Sequence, residues 1–534
     1  MFRSTRMFRS TRLFRSTRLL AVGAACSVAL VLTACGGGAA GSESSSISGP
    51  AGDPVSGGTL RTVLLSEPRN LDPAILQNNL QGQGTLGNSL YGTLMYGDEQ
   101  TDEIIYSMAE NLSSDDGGKT FVLKLRDGLE FSDGSSLNAD AVKYNWDRLK
   151  DKSLGSNSTP DAALVASSEV LSAATLKITL TQAIPSYAHQ ISQTAMNWIA
   201  SPEALARGSQ AFDADPIGAG PFTLESWTRA GKIELVKNPK YWDAPRPYLE
   251  RITLSSSADE EQRLNSVVSG GADVVQAANW SVVEKATTAG FQVQTMPMAG
   301  GTFLALNTTR APFDDVRKRQ AVSAAIDLDA LGLAIDKGAG VGAETLFPEG
   351  SQFYTDTPLH TYDKTKAQDL FDQFAAEGAA LTFTFTAFPG KELVAQAVQA
   401  QLSQYDNVKI AVNRVDWAES GRVYGQKDFD MMVAASNFID PEPALFRSFH
   451  STSPRSATGI KDDQLDAALV AGRVGESVAD RKDAYETASE RLAETSPAIF
   501  YQRTSETTIA SDKVGGITMY GEGSLLTAGL WLAD

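Results

Sequence analysis

The chain reads as mixed α/β, on three observations. Period-two alternation marks strands: in TFVLKLRDG, Phe121, Leu123 and Leu125 share one face, and Lys124 and Arg126 the other. Leu176, Ile178 and Leu180 in TLKITLT repeat the pattern, as do Leu381, Phe383 and Phe385 in ALTFTFTAF. A 3.6-residue period marks helices: Tyr485, Ala488 and Leu492 form a stripe among the charges of RKDAYETASERLAE. Ala321, Ala325, Leu328 and Leu331 line one face of DDVRKRQAVSAAIDLDAL, which opens on an N-cap at Asp314 or Asp315. The two kinds of element interleave along the body, which is how α/β chains are built. That body, from Gly57 to Asp534, exceeds one ordinary core and predicts two or three lobes.

In chain order, the first 18 residues repeat one hexapeptide three times and carry six arginines and no acid. An apolar run follows from Leu19 to Ala34, shorter than the roughly 20 residues a spanning helix needs. A basic start, a short apolar stretch and small residues at its end predict a secretory signal peptide over 1–34. Leu32-Thr33-Ala34-Cys35 resembles the bacterial lipobox, which implies cleavage before Cys35 and lipidation of its thiol. Cys26, the only other cysteine, lies in the leader, so the body needs no disulfide. Residues 35–56 are Gly, Ser, Ala and Pro with little apolar content, a flexible tether between lipid and body.

The net charge is -18, and without the six leader arginines 64 acidic residues face 40 basic ones. Such a body lacks the basic face that phosphate backbones require, which argues against nucleic acid. The three histidines, His189, His360 and His450, are far apart and form no zinc motif. No Gly-x-Ser-x-Gly elbow occurs. SSDDGGKT ends like a P-loop but has Ser113 where the first glycine belongs, and reads as a hairpin turn. GQGTLG (Gly82, Gly84, Gly87) fits a dinucleotide pattern, yet polar QNNLQ precedes it instead of a strand, so it reads as a glycine-rich loop. IDPEPALF reads as a proline-punctuated turn or cleft rim, with Asp440 and Glu442 structural and not an acid/base pair. No cofactor, resident metal or catalytic residue is assigned, and binding is expected before catalysis.

Several stretches, in order, carry a family resemblance. GGTLRTVLLSEPRNLDPA (57–74), the block from Met108 to Leu149 with its LRDG turn and F-x-D-G, and PIGAGPFTLESW (216–227) are three of them. VKNPKYWDAPRPYLERI (236–252), LNTTRAPFDDVRKRQAVSAAID (306–327) and the closing RKDAYETASERLAETSPAIFYQ complete the set. Together they resemble the extracytoplasmic solute-binding proteins of family 5, the oligopeptide, dipeptide and nickel receptors of ABC importers. The resemblance implies a two-lobed, type II periplasmic-binding-protein-like α/β fold with an inserted domain. Lobe I would comprise 57–92, 214–299 and 500–534, the insert 93–213 and lobe II 300–499. It further implies a monomeric, non-enzymatic receptor, lipid-anchored on the outer face of the cell membrane, either periplasmic or on a Gram-positive surface. A peptide or other small organic solute would be captured by hinge closure and delivered to permease and ATPase subunits.

The residues expected at the ligand are Arg69 and Asn70 after the first strand, Trp198 in QTAMNWIASPEAL, Trp417 in VDWAES, and Asn437 and Phe438. Peptide-binding relatives place an aspartate for the ligand ammonium in a G-W-x-x-D segment; by register on Asp440-Pro441, Asn437 stands there and Ala434 replaces the tryptophan. An amide bonds a cation more weakly than a carboxylate, so either ordinary α-amino peptides are not bound tightly or their amine is paired elsewhere. A nickel-type chelate is the runner-up cargo, with only His450 near that segment. A surface sensor or chaperone-like lipoprotein, and a secreted hydrolase lacking a recognisable nucleophile, are the remaining readings.

Overall fold

The computed structural model describes residues 49–533, except Ala51, Gln81, Gly82 and Asp102. The leader, Cys35, most of the tether and Gly82 of the glycine-rich motif lie outside the described residues. Among the described residues no helix is long and apolar enough to cross a membrane.

Three large sheets organise the rest. The first has seven strands, drawn from three separate stretches of chain: Thr59–Leu64, then Phe222–Trp227 through Gln292–Thr295, then Thr507–Ala510. Its central pairings are parallel: Thr59–Leu64 lies beside Arg251–Ser256 and beside Val274–Ala277. Alternation sets its faces, with Leu60 and Leu64 on one side and Val63 on the other. Helices Glu260–Val268 and Trp280–Thr288 cover the Val63 face.

A four-stranded antiparallel sheet is built from Ala109–Ser113, Thr120–Leu125, Val165–Ser172 and Thr175–Leu180. The SSDDGGKT stretch is the hairpin turn between the first two of these, as the alternation on either side predicts. The apolar side chains of this region are continuous with those of the seven-stranded sheet. One cluster runs from Leu60, Ile252 and Leu254 through Leu86 and Trp198 to Phe121, Leu123 and Ile178.

The third sheet has five strands, Ala299–Leu306, Leu381–Ala387, Val408–Arg414, Met431–Phe438 and Ala498–Gln502, sandwiched between helices. Phe383, Phe385 and Leu304 pack on one side with helices Val316–Ala325 and Lys364–Ala376. Phe303, Phe438 and Phe500 pack on the other with the hairpin of helices Asp463–Val474 and Val478–Thr495.

Two readings from the sequence need correction. The helix expected across 314–331 is two helices, Val316–Ala325 and Leu328–Asp336. Asp315 caps the first, and Asp327 interrupts the run by capping the second through the Ala330 amide. Gly84 and Gly87 are not in a loop; they lie in helix Gly84–Tyr91, where a β-carbon on Gly87 would collide with the Trp198 ring.

Candidate functional site

Backbone register brings two sets of strand ends together. The chain passes between the seven- and five-stranded sheets twice, over 295–299 and over 502–507. The crossings are tied to each other: the Met296 amide donates to the Glu506 carbonyl at 2.9 Å, and the Thr295 and Thr507 hydroxyls lie 2.7 Å apart. Ala277 ends its strand opposite Thr507, and Phe438 ends its strand opposite Ala299. The carboxyl ends of the parallel strands of both sheets therefore lie on the side where the sheets are joined. In open α/β sheets the crevice beyond the carboxyl ends is where ligands bind.

Backbone conformation and buried charge fix this junction. Gly300 has φ +69°, and a β-carbon there would strike the Ser436 carbonyl, so the close strand approach requires glycine. Arg503, on the second crossing, donates to the carbonyls of Gly300 at 2.6 Å, Leu346 at 2.9 Å and Thr345 at 2.7 Å. Burial, opposed only by Glu344, lowers its pKa to about 10. Trp280, at the start of helix Trp280–Thr288 on the seven-stranded sheet, donates to the Arg503 carbonyl at 2.8 Å.

On the five-stranded side, Phe388 follows the strand end at Ala387 and stacks on Trp417 at 4.6 Å and on Tyr424 at 5.3 Å. Lys391 closes the same turn; burial lowers its pKa, and the charge of Glu260, across on the seven-stranded side, opposes the shift.

The stretch after Phe438 builds a charged seam against the four-stranded region. Asp440 is 0 % exposed and held bidentate by Arg481 at 2.7 and 2.8 Å. Burial would raise its pKa, but the charges of Arg481 and His189 outweigh that and hold it below the usual carboxylate range. Glu442, 1 % exposed, accepts from Arg473 at 2.6 and 2.8 Å and from Gln190 of helix Tyr187–Ser192 at 3.1 Å. Here burial wins over Arg473, and the pKa is raised. Arg447 pairs with Asp161 across the seam, and Arg455 donates to the Asn157 carbonyl at 3.3 Å. Burial raises the pKa of Asp161 against the charges of Arg447 and Arg455, and that of Glu522 against Arg447. Asp440 and Glu442 are thus arginine-paired, in keeping with the structural reading of IDPEPALF. Among the described residues no group of three or more His, Cys, Asp or Glu is placed to hold a metal ion.

The residues expected at the ligand separate. Trp417 is 56 % exposed and presents a ring face at the strand ends. Asn437 is half-buried beside Gly300, and its amide has no hydrogen-bond partner among the described residues. Two expectations are corrected. Trp198 is 1 % exposed, donates to Asn88 at 2.9 Å and sits inside the shared core; Phe438 is buried against Phe347 at 5.8 Å. Alternation explains Phe438: next to a half-buried Asn437, it must face the core side of its strand. Arg69 is exposed and Asn70 caps its own loop by accepting from the Asp72 amide at 3.2 Å. Arg229 holds that loop through the Pro68 and Arg69 carbonyls, and no described contact joins Arg69 or Asn70 to Trp417 or Asn437.

Sequence reasoning did not find Asp161, Gln190, Lys391, Arg447, Arg473 or Arg481. Only Arg481 left a signal: it lies four residues before Tyr485 on the same apolar stripe, where a charge implies a buried partner.

Comparison with known proteins adds a family and several relatives. Residues 103–456, more than half of the chain, match the bacterial extracellular solute-binding proteins, family 5 Middle. The glutathione-binding protein GsiB of Escherichia coli (strain K12) is 27 % identical over 314 residues, 58 % of this chain and 60 % of GsiB. GsiB of Salmonella typhimurium is 28 % identical over 320 residues, with the same coverage. The chain thus matches about 60 % of the length of these curated relatives. Among solved structures, the oligopeptide-binding protein AppA of Bacillus subtilis, in complex with a nonapeptide, aligns with a TM-score of 0.73 at 21 % identity, covering 90 % of this chain and 100 % of AppA. DppA of Helicobacter pylori, in complex with the peptide STSA, gives a TM-score of 0.75 at 20 % identity, covering 90 % and 99 %. These likenesses show the fold, that of the periplasmic binding proteins, as the resemblance implied.

Proposed function

The chain belongs to family 5 of the bacterial extracellular solute-binding proteins, and we propose that it is the receptor of an ABC importer for a peptide or other small organic solute. The seven-stranded and five-stranded bodies act as lobes I and II, with boundaries at 57–92, 214–299 and 500–534 for the first and 300–499 for the second. The insert, 93–213, travels with lobe I. Solute enters between the facing strand ends, and the crossings at 295–299 and 502–507 serve as the hinge. A permease and its ATPase receive the cargo. Cys35 carries lipid after loss of residues 1–34, and the 35–56 tether keeps the receptor near its permease, raising their effective concentration.

One observation carries this reading: the carboxyl ends of both sheets converge where two crossings of the chain join them. Trp417 and Asn437 stand on the lobe II wall of that crevice, and Arg69 and Asn70 on a loop at the end of the first lobe I strand. The names of the curated relatives support a cargo of tripeptide size.

The test is the melting temperature of the protein against glutathione, di- to pentapeptides, opines, sugars and nickel chelates. A ligand that binds only the folded state raises it by mass action, by about 2.7 kcal/mol of stability at a hundredfold excess over Kd. A saturable rise with one chemical class is expected, and no rise with any class would overturn the receptor reading. Asn437 sharpens the forecast: tight binding of free peptides that vanishes on N-acetylation would contradict the weak ammonium site.

A further inference from the structure

A second cavity lies far from the crevice. Strand Ala299–Leu306 runs from the hinge to the opposite edge of its sheet, seven residue steps or about 23 Å away. Beyond its end is a cavity of about 350 Å³, lined by Thr308, Thr309, Asp314, Arg319, Gly459 and Lys461 among others.

Its chemistry is set by Arg319, on helix Val316–Ala325 and only 4 % exposed. The Arg319 Nε donates to the Thr495 carbonyl at 2.8 Å, and Nη1 to the Phe313 carbonyl at 2.8 Å and the Asp314 carbonyl at 3.4 Å. All three acceptors are neutral, and Nη2 has no hydrogen-bond partner among the described residues. Neither nearby carboxylate contacts the guanidinium, although Asp314 lines the same cavity. Asp314 accepts from the Asp315 amide at 3.0 Å, and Asp315 is paired with Arg317 at 2.8 Å. Burial lowers the Arg319 pKa, with Asp315 and Asp314 only opposing that shift, as expected of a charge without a contacting counter-ion.

Two more cations stand nearby. Lys461 is exposed at the rim. Lys427 lies behind Gly459, where a β-carbon would sit 3.3 Å from its chain, and its ammonium donates to the Ser456 carbonyl. In a chain of net charge -18, the cavity lining has two cations, Arg319 and Lys461, against one carboxylate, Asp314. A buried guanidinium with a free N–H edge is suited to planar or tetrahedral oxyanions.

We infer that this cavity is an anion site for a small phosphate-type oxyanion, bound by Arg319 Nη2 and Lys461 Nζ and separate from the inter-lobe crevice. The volume lies within the range of small-molecule pockets, so the anion carries an organic body. The source is either a free phosphate monoester or the headgroup of a phospholipid.

The experiment is calorimetry on the full chain in neutral detergent, titrated with inorganic phosphate and with glycerol 3-phosphate at constant ionic strength. Saturable binding of glycerol 3-phosphate, tighter than that of phosphate, is expected. Lys461→Glu, an exposed change, should weaken it at least tenfold with an unaltered melting temperature. Arg319→Lys should remove it, but that buried arginine also bonds three carbonyls, so the Lys461 variant decides. Displacement by a short-chain phosphatidylglycerol assigns the site to a headgroup; no displacement assigns it to a free monoester. Heat no greater than that of matched sodium chloride, or an affinity unchanged in Lys461→Glu, overturns the inference. Neither result depends on whether the crevice binds a solute.

Discussion

The four-stranded region meets its two neighbours in opposite ways. Against the seven-stranded sheet it shares one large apolar cluster, in which Trp198, Leu86 and Phe121 are buried, with internally satisfied polar groups such as Asn88, which accepts from Trp198 at 2.9 Å. Against the five-stranded body it presents ions and amides: Asp161 to Arg447, Asn157 to Arg455 and Gln190 to Glu442. Water replaces hydrogen bonds and ion pairs at small net cost, whereas it cannot replace buried apolar area. On the proposed receptor reading, the first junction stays shut and the second is the one that parts.

Breaking that contrast should give effects of very different size. The largest is expected inside the second body, at Asp440. Arg481→Met leaves a fully buried carboxylate without its cation, and a loss of about 3–5 kcal/mol is expected. Urea unfolding measures it, and a loss below about 1 kcal/mol would show that water reaches the site. Trp198→Ala comes next, opening a hole in the shared core at a similar or slightly smaller loss, about 3–5 kcal/mol. It should also loosen the four-stranded region first, which hydrogen exchange over strands 120–125 and 175–180 would register.

Arg447→Ala, at the seam, should cost less, about 1–3 kcal/mol. Its main effect should be on shape: small-angle scattering is expected to report a more open particle and a lower ligand affinity. An unchanged scattering profile would mean that the seam does not hold the lobes together.

The seam also predicts a pH dependence. Asp161 and Glu522 are raised above the ordinary carboxylate pKa of about 4 by burial, so the closed form binds protons more readily than the open one. Their contribution to closure is complete below that ordinary pKa and is lost as pH rises through the raised value. Asp440 acts on folding in the other direction. Its pKa is lowered, so its contribution is present above the ordinary value and disappears as pH falls through the depressed one. Scattering as pH is lowered from 7 toward that ordinary carboxylate value should show compaction before any unfolding; expansion instead would contradict the assignment.

The smallest effect on stability is expected for Trp417→Ala. The ring is more than half exposed, and a change of about 0.5 kcal/mol is typical of such positions. If it lines the crevice, affinity for the cargo should fall while the melting temperature of the unliganded protein stays put.

Much of this was legible in the sequence. Alternation located strands 120–125, 175–180 and 381–387, because each buries one face on a core and leaves the other polar. The Tyr485 stripe located the long helix Val478–Thr495 for the matching reason. The site was less legible. Trp198 and Trp417 look alike in sequence, and only packing distinguished a core ring from a surface one. The buried arginines resemble surface charges, since nothing local reveals a carboxylate 31 or 41 residues away.

The class, the alternation of strands and helices and, through ordered blocks, the family could be read from the linear chain, because these depend on short-range periodicity and on motifs contiguous in it. Tertiary structure alone decided which strand ends face one another, which acids meet which arginines, and which apolar surface is shared. Those outcomes depend on register and burial between segments tens to hundreds of residues apart, where Coulomb energy and water exclusion act on distances the linear chain does not carry.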